Sequence, residues 1–139
     1  MVSHSFRSVA VTACLLLAFL AGCGRKKGLT EISGTVTYKN APVPAGMISI
    51  EPDPSRDNHG PQCAAGIADG VFRSRYNFGS VSGPVVIRVD GYTGVPEGES
   101  FGGRPLFPSY EFTAEIPEAA SHTLDVVVPD EKVAGPKSK

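Results

Sequence analysis

The fold is decided by the stretch Cys63-Ala-Ala-Gly-Ile-Ala-Asp-Gly-Val-Phe-Arg-Ser-Arg-Tyr76, in which two apolar alternations meet at an Asp-Gly pair. Asp69-Gly70 suits a two-residue hairpin turn, because both central residues of such a turn need a positive φ. On the second arm Phe72 is expected to face inward and Arg73 outward, since successive side chains of a strand point to opposite faces. The stretch therefore predicts a β-hairpin.

The same period of two recurs along the chain, in segments rich in β-branched and aromatic residues. The predicted strands are residues 32–38, 47–51, 63–67, 71–76, 85–90, 110–116 and 123–128. Their inward positions are Ile32, Val36, Tyr38, Ile48, Ile50, Phe72, Tyr76, Val85, Ile87, Val89, Tyr110, Phe112, Ala114, Ile116, Leu124, Val126 and Val128. Turn segments rich in Gly and Pro separate these strands. The pattern predicts an all-β domain over residues 31–129, a seven-strand β-sandwich.

Composition sets limits on the function. The chain has 139 residues, of which 41% are apolar and 19% charged, and this is typical of one globular domain. Its 13 Lys and Arg residues nearly balance 14 Asp and Glu residues, for a net charge of −1. Without a basic excess, nucleic acid is not an expected partner.

The N-terminus has the form of an export signal. Residues 1–7 are polar with one Arg, and an uncharged apolar run follows that is shorter than the roughly 20 residues of a membrane span. The run ends in Leu20-Ala21-Gly22-Cys23, which resembles the lipobox of bacterial lipoproteins. The resemblance implies that residues 1–22 are a signal peptide, helical in that family, and that Cys23 becomes a lipidated N-terminus. An uncleaved anchor and an ordinary secretory signal are the alternatives.

The lipoprotein interpretation has consequences for location. Residues 23–30 would be a lipidated tether and residues 130–139 a disordered tail. In lipoproteins that Cys23 resembles, Asp at the next position causes inner-membrane retention, so Gly24 favours the outer membrane. We therefore expect a cell-envelope protein held by acyl chains, periplasmic or surface-facing. With Cys14 in the signal and Cys23 acylated, Cys63 has no disulfide partner and is expected to be a buried apolar residue.

A second resemblance covers residues 31–129. The segment 32–52 resembles the opening of transthyretin-like, carboxypeptidase regulatory-like domains, with Asn40-Ala41 where that pattern often has Gly; the matching residues are Gly34, Val36, Pro42, Val43, Ile48 and Ile50. Residues 69–72 and 83–89 are similar to its later hairpin and strand. Pro108-Ser-Tyr110 with the final strand resembles small planctomycete lipoproteins. The resemblance implies a prealbumin-like seven-strand sandwich, related to transthyretin and immunoglobulin-like folds, without catalytic residues.

Catalytic and metal-binding motifs are not recognisable. The nearest stretch to a hydrolase nucleophile elbow, residues 79–83, has Val81 at the nucleophile position. His59 and His122 are the histidines outside the signal region. Residues 53–59 cluster Asp, Asn and His, which suits either a weak Ca²⁺ site or, more simply, a turn. We expect no enzymatic activity, no cofactor and no metal.

The segment 91–108 is the expected functional loop, because structureless loops of this length are often functional. Tyr92, Phe101 and Phe107 with Arg104 would offer stacking faces and a hydrogen-bonding fork to a sugar or a peptide. The simpler alternative is that the aromatic rings pin the loop to the domain. The expected function is a non-catalytic interaction module whose partner is an envelope protein; the alternative is a carbohydrate-binding lipoprotein. A polysaccharide is therefore the other possible partner.

Overall fold

A computed structural model describes residues 28–75 and 78–130. The predicted signal peptide, Cys23, Tyr76 and the tail beyond Asp130 lie outside the described residues. Within the described part, no helix has the length and hydrophobicity to cross a membrane.

Across residues 28–75 and 78–130 the structure has nine strands and one short 3₁₀ helix, which confirms the all-β prediction. The elements are β1 (Glu31–Tyr38), β2 (Ala41–Pro42), β3 (Ala45–Pro52), the 3₁₀ helix (Pro54–Arg56), β4 (Cys63–Ala68), β5 (Val71–Arg73), β6 (Gly83–Tyr92), β7 (Tyr110–Ile116), β8 (Ser121–Thr123) and β9 (Val126–Val128). The main sheet has the order β2-β1-β5-β4-β3-β6-β7, it is antiparallel throughout, and it curls. Strands β8 and β9 pair with β1.

Two tight turns follow the sequence signals. Asp69 and Gly70 have φ values of 50° and 76°, as the Asp-Gly prediction requires. Lys39 and Asn40, with φ values of 52° and 61°, form a similar turn between β1 and β2. Asn tolerates this left-handed conformation better than most residues, which is how the chain manages without Gly there.

The last predicted strand is wrong in one respect. Residues 123–128 do not form one strand, because Leu124 and Asp125 separate β8 from β9 and both run parallel to β1. At the interruption the Asp125 carboxylate accepts hydrogen bonds from the Thr35 amide at 3.1 Å and hydroxyl at 2.7 Å. A side chain thus replaces a main-chain partner at this point of the ladder.

The core lies on the inner face of the curled sheet. The buried apolar residues that the alternation predicted are Ile32, Val36, Ile48, Ile50, Phe72, Val85, Ile87, Val89, Ile116, Val126 and Val128. Tyr38, Tyr110, Phe112, Ala114 and Leu124 are half-buried and pack against this core. Strand β7 is only partly covered because it is the last strand of the sheet path.

The strand directions give the domain two ends. The entry end holds the start of β1, and the far end holds the 39–40 and 69–70 turns and the segment after β6. Thr30 was expected in the tether, but it is 1% exposed and its N–H and carbonyl both pair with Ser80, at 2.8 and 2.9 Å. The folded domain therefore begins at Thr30.

We expect Gly34→Ala to destabilise the domain. A Cβ atom at residue 34 would lie 1.8 Å from the carbonyl oxygen of Leu124, which cannot retreat without breaking the pairing of β1 with the C-terminal segment. The free energy of unfolding should fall by at least about 2 kcal/mol in chemical denaturation. Gly66→Ala is the matched control, because a Cβ there meets nothing within 4 Å and should leave stability unchanged or higher by up to about 1 kcal/mol. Equal stabilities would contradict the prediction.

Candidate binding surfaces

The segment 91–108 is an ordered hairpin rather than an open loop. Thr93 donates a backbone hydrogen bond to Arg104 at 2.9 Å, and Gly94 donates one to Gly102 at 2.9 Å. Near the tip, Arg104 Nε lies 2.7 Å from Glu97 Oε2. Backbone and side chain therefore hold the hairpin in one shape at the far end of the sheet.

The structure brings together two of the four predicted binding residues, Tyr92 and Phe107, which line one pocket that does not include Phe101 or Arg104. Phe101 is 93% exposed, Tyr92 is half-buried, and Arg104 is exposed but paired with Glu97. Phe107 is only 8% exposed, and its ring centroid lies 4.9 Å from that of Tyr38. This ring therefore packs the segment against the core, as the simpler alternative held, and its remaining exposed part lines a shallow pocket of about 190 Å³ together with Tyr92; binding through Phe107 stays a prediction.

A second exposed apolar residue accompanies Phe101. Val95 lies on the opposite arm of the hairpin and is also largely exposed. Val95 was not among the predicted residues, although a β-branched residue in a stretch rich in Gly and Pro is a usable signal. Two apolar side chains thus stand on a rigid, hydrogen-bonded support.

A groove of about 420 Å³ crosses the outer face of the sheet toward the entry end. We call it the arginine groove. Its floor is formed by Ala64 and Gly66 of β4, and its walls by Met47, Gln62, Arg73, Arg75 and Phe78. The groove exists because the outward positions of β4 carry small residues; a Cβ added at Gly66 would meet nothing within 4 Å.

The two arginines of the groove have a fixed backbone. Between them, buried Ser74 donates its N–H to the Ile32 carbonyl at 2.7 Å and accepts the Ile32 N–H at 3.0 Å on its hydroxyl. On the entry-end side, the Phe78 N–H donates to the Arg75 carbonyl at 2.9 Å. Arg73 and Arg75 therefore stand on the same face of an anchored segment.

The arginines of the groove differ from the other cations in their pairing. Arg73 has Glu31 at 3.6 Å, and in residues 28–75 and 78–130 Arg75 has no carboxylate within 4.0 Å. The other described Lys and Arg residues each have a carboxylate within that distance; they are Lys39, Arg56, Arg88 and Arg104. Arg75 is thus the described cation most available to a ligand.

Both histidines lie away from the groove. His59 Nε2 is 3.5 Å from Asp57 on the exposed loop that follows the 3₁₀ helix, and His122 lies in β8. Buried Asp53 uses its carboxylate to accept the N–H and hydroxyl of Ser55, which caps the 3₁₀ helix. In the described ranges, no three His, Cys, Asp or Glu residues come together as a metal site would require. The 53–59 cluster has the geometry of a turn.

Cys63 is a buried side chain, as predicted. Its thiol donates to the Phe78 carbonyl at 3.2 Å, and burial raises the pKa of the thiol above its ordinary value. A protonated, enclosed thiol is a weak nucleophile.

Comparison of the chain with protein-family models, curated proteins and solved structures finds no match in any of the three.

The Cys63 thiol should react slowly in the folded chain. In a Cys14→Ser, Cys23→Ser variant at about pH 8, Ellman's reagent should modify the native protein at least about ten-fold more slowly than the urea-unfolded protein. The folded state holds the thiol proton more tightly, so this contribution to stability is complete below the ordinary pKa near 9.0 and is lost as pH rises through the folded-state pKa. Equal rates in the two states would show that the thiol is accessible.

Proposed function

We propose that this protein is a lipid-anchored cell-envelope protein whose β-domain is a non-catalytic interaction module. One observation carries the proposal. The chain enters β1 at one end of the sheet, while the 91–108 hairpin stands at the other end, where Phe107 packs on Tyr38. The strands between these ends span about 26 Å, for eight residues at roughly 3.3 Å each.

That polarity suits a protein held by its N-terminus. If Cys23 carries the acyl chains, residues 24–29 connect the membrane to the entry end, and the hairpin with Phe101 and Val95 points away from the bilayer. The rigid hairpin supports a role in presenting these side chains to an envelope partner. Exposed aromatic residues on ordered supports are frequent centres of interfaces.

We also propose that the domain belongs to the transthyretin-like, carboxypeptidase regulatory-like class and forms a prealbumin-like sandwich. The all-β architecture supports this, together with the Asp69-Gly70 hairpin and the buried Val36, Val43 and Ile48 at motif positions. The parallel pairing of β8 and β9 with β1, which accompanies burial of Val126 and Val128, also supports this proposal.

The anchor is tested with Cys23→Ser. The wild-type chain, expressed in a bacterial host, should lose residues 1–22, gain acyl mass and partition with membranes, whereas Cys23→Ser should remain unprocessed. Cys14→Ser is the matched control, because Cys14 lies inside the apolar run and should be dispensable. Intact mass and membrane fractionation provide the readout. A soluble, unacylated wild-type protein would contradict the proposal.

Carbohydrate binding through the hairpin is a second candidate, favoured by the 93% exposure of Phe101. A ring exposed on both faces can stack on a pyranose, and Arg104 and Glu97 beside it supply hydrogen-bonding groups.

Phe101→Ala tests this candidate. If the hairpin binds a neutral polysaccharide such as cellulose, the substitution should weaken retention about three- to ten-fold, because the stacking face is lost. Phe78→Ala is the control, since Phe78 is a similarly exposed aromatic residue in the arginine groove. Binding that is unchanged by Phe101→Ala, or no retention of the wild type, would exclude the hairpin as a sugar site.

A further inference from the structure

We propose that the arginine groove receives an extended acidic segment of a partner protein, with carboxylates at alternate residues. The inference concerns a surface other than the 91–108 hairpin, and it holds whether or not Cys23 carries lipid. It rests on the spacing of Arg73 and Arg75 along the chain, the open floor between them and Met47, and the charge of the segments that flank the domain.

Arg73 is the last residue of β5, and the alternation of exposed and buried residues continues through Ser74 to Arg75. Arg73 and Arg75 are two residues apart and project on the same side, so their Cα atoms are separated by about 6.6 Å along the chain. An extended peptide has the same repeat, and its residues i and i+2 also face one way. Two carboxylates at alternate positions of such a peptide can therefore meet both guanidinium groups at once, and each guanidinium can bind its carboxylate through two hydrogen bonds.

The floor of the groove leaves room for a chain. The floor carries only the methyl group of Ala64, because Gly66 has no side chain. Met47 and Phe78 border the space, and their side chains are 53% and 67% exposed. Met adapts to varied partners, and both side chains can cover the aliphatic parts of a bound segment. Gln62 is the one uncharged side chain in this lining that can hydrogen-bond. An uncharged sugar would therefore find few neutral hydrogen-bonding partners in the groove.

The flanking segments of the same chain do not suit the groove. Residues 24–27 carry Arg25, Lys26 and Lys27 and no acid, and residues 131–139 carry three Lys against Glu131. Both side-chain sets are net basic and would be repelled by Arg73 and Arg75. The proposed occupant is therefore an acidic segment of a partner protein rather than either of these two segments.

Three acids lie beside the groove: Glu31, Glu51, and Asp90, which is opposite Met47 in the pairing of β3 with β6. Glu31 is 3.6 Å from Arg73, and Glu51 accepts a hydrogen bond from Gln62 at 3.1 Å. The Glu31 contact is long for an ion pair and solvent-exposed, so it contributes little and can be exchanged for a ligand carboxylate. A ligand carboxylate should gain more from Arg75 than from Arg73. The Arg73 guanidinium must exchange its contact with Glu31, whereas Arg75 has no carboxylate within 4.0 Å among the described residues.

Two labelled peptides of equal composition test the proposal. The alternating peptide is Gly-Ser-Thr-Glu-Thr-Glu-Thr-Ser-Gly and the adjacent peptide is Gly-Ser-Thr-Glu-Glu-Thr-Thr-Ser-Gly. We expect fluorescence anisotropy, with the full chain purified in neutral detergent, to show saturable binding of the alternating peptide, and binding of the adjacent peptide at least about three-fold weaker. In the adjacent peptide the two carboxylates point to opposite faces, so only one can reach an arginine.

Three variants locate the binding site. Arg75→Gln should weaken binding of the alternating peptide about three- to ten-fold. Gly66→Ile should abolish it by filling the floor, with the fold checked by circular dichroism. Arg104→Gln removes the same charge from the far-end hairpin and should leave binding unchanged.

Several results would overturn the proposal. These are no saturable binding of the alternating peptide, equal affinity for the two peptides, or equal weakening by Arg75→Gln and Arg104→Gln. Tighter binding of an oligogalacturonate of equal charge would assign the groove to an acidic polysaccharide instead. Failure of the Cys23→Ser experiment would leave these peptide results unaffected, so the two proposals fail separately.

Discussion

Strand β1 pairs on both of its edges, since Ser33 lies opposite Arg73 of β5 and also opposite Thr123 of β8. β1 pairs antiparallel with β5 and β2, and in parallel with β8 and β9. The second pairing requires the Leu124 carbonyl to approach the backbone at Gly34 more closely than any side chain permits. Because the C-terminal segment is held there, Val126 and Val128 reach the core that the curled sheet leaves open.

The same arrangement gives the domain two different ends and a bare outer face. The inward residues of each strand pack in the core, whereas the outward residues do not. The outward side chains can therefore vary in size and charge without disturbing core packing. On β4 the outward residues are small, and on the segment after β5 they are arginines, which together make the arginine groove. At the far end, buried Phe107 allows Phe101 and Val95 to stand out on a hairpin that is itself well bonded.

The turns and the buried faces of strands that depend on neighbouring residues were predicted correctly. The Asp69-Gly70 turn follows from backbone sterics, and burial of Ile48, Ile50 and Ile87 follows from the period of two. Predictions were less accurate where a partner distant in the chain decides. Thr30 is fixed by Ser80, and the break at Asp125 is fixed by Thr35, ninety positions away.

The candidate surfaces divide in the same way. The all-β class and the inward face of most strands follow from neighbours along the chain, so they could be predicted from the amino-acid order. Burial of Phe107 and exposure of Phe101 depend instead on folding, since both rings occupy one stretch rich in Gly and Pro and differ by contact with Tyr38. Strand register places Met47 of β3 opposite Gly66 of β4, and Arg73 and Arg75 line the same groove. The spacing of these residues in the sequence does not predict this arrangement, because it depends on how separate strands pair.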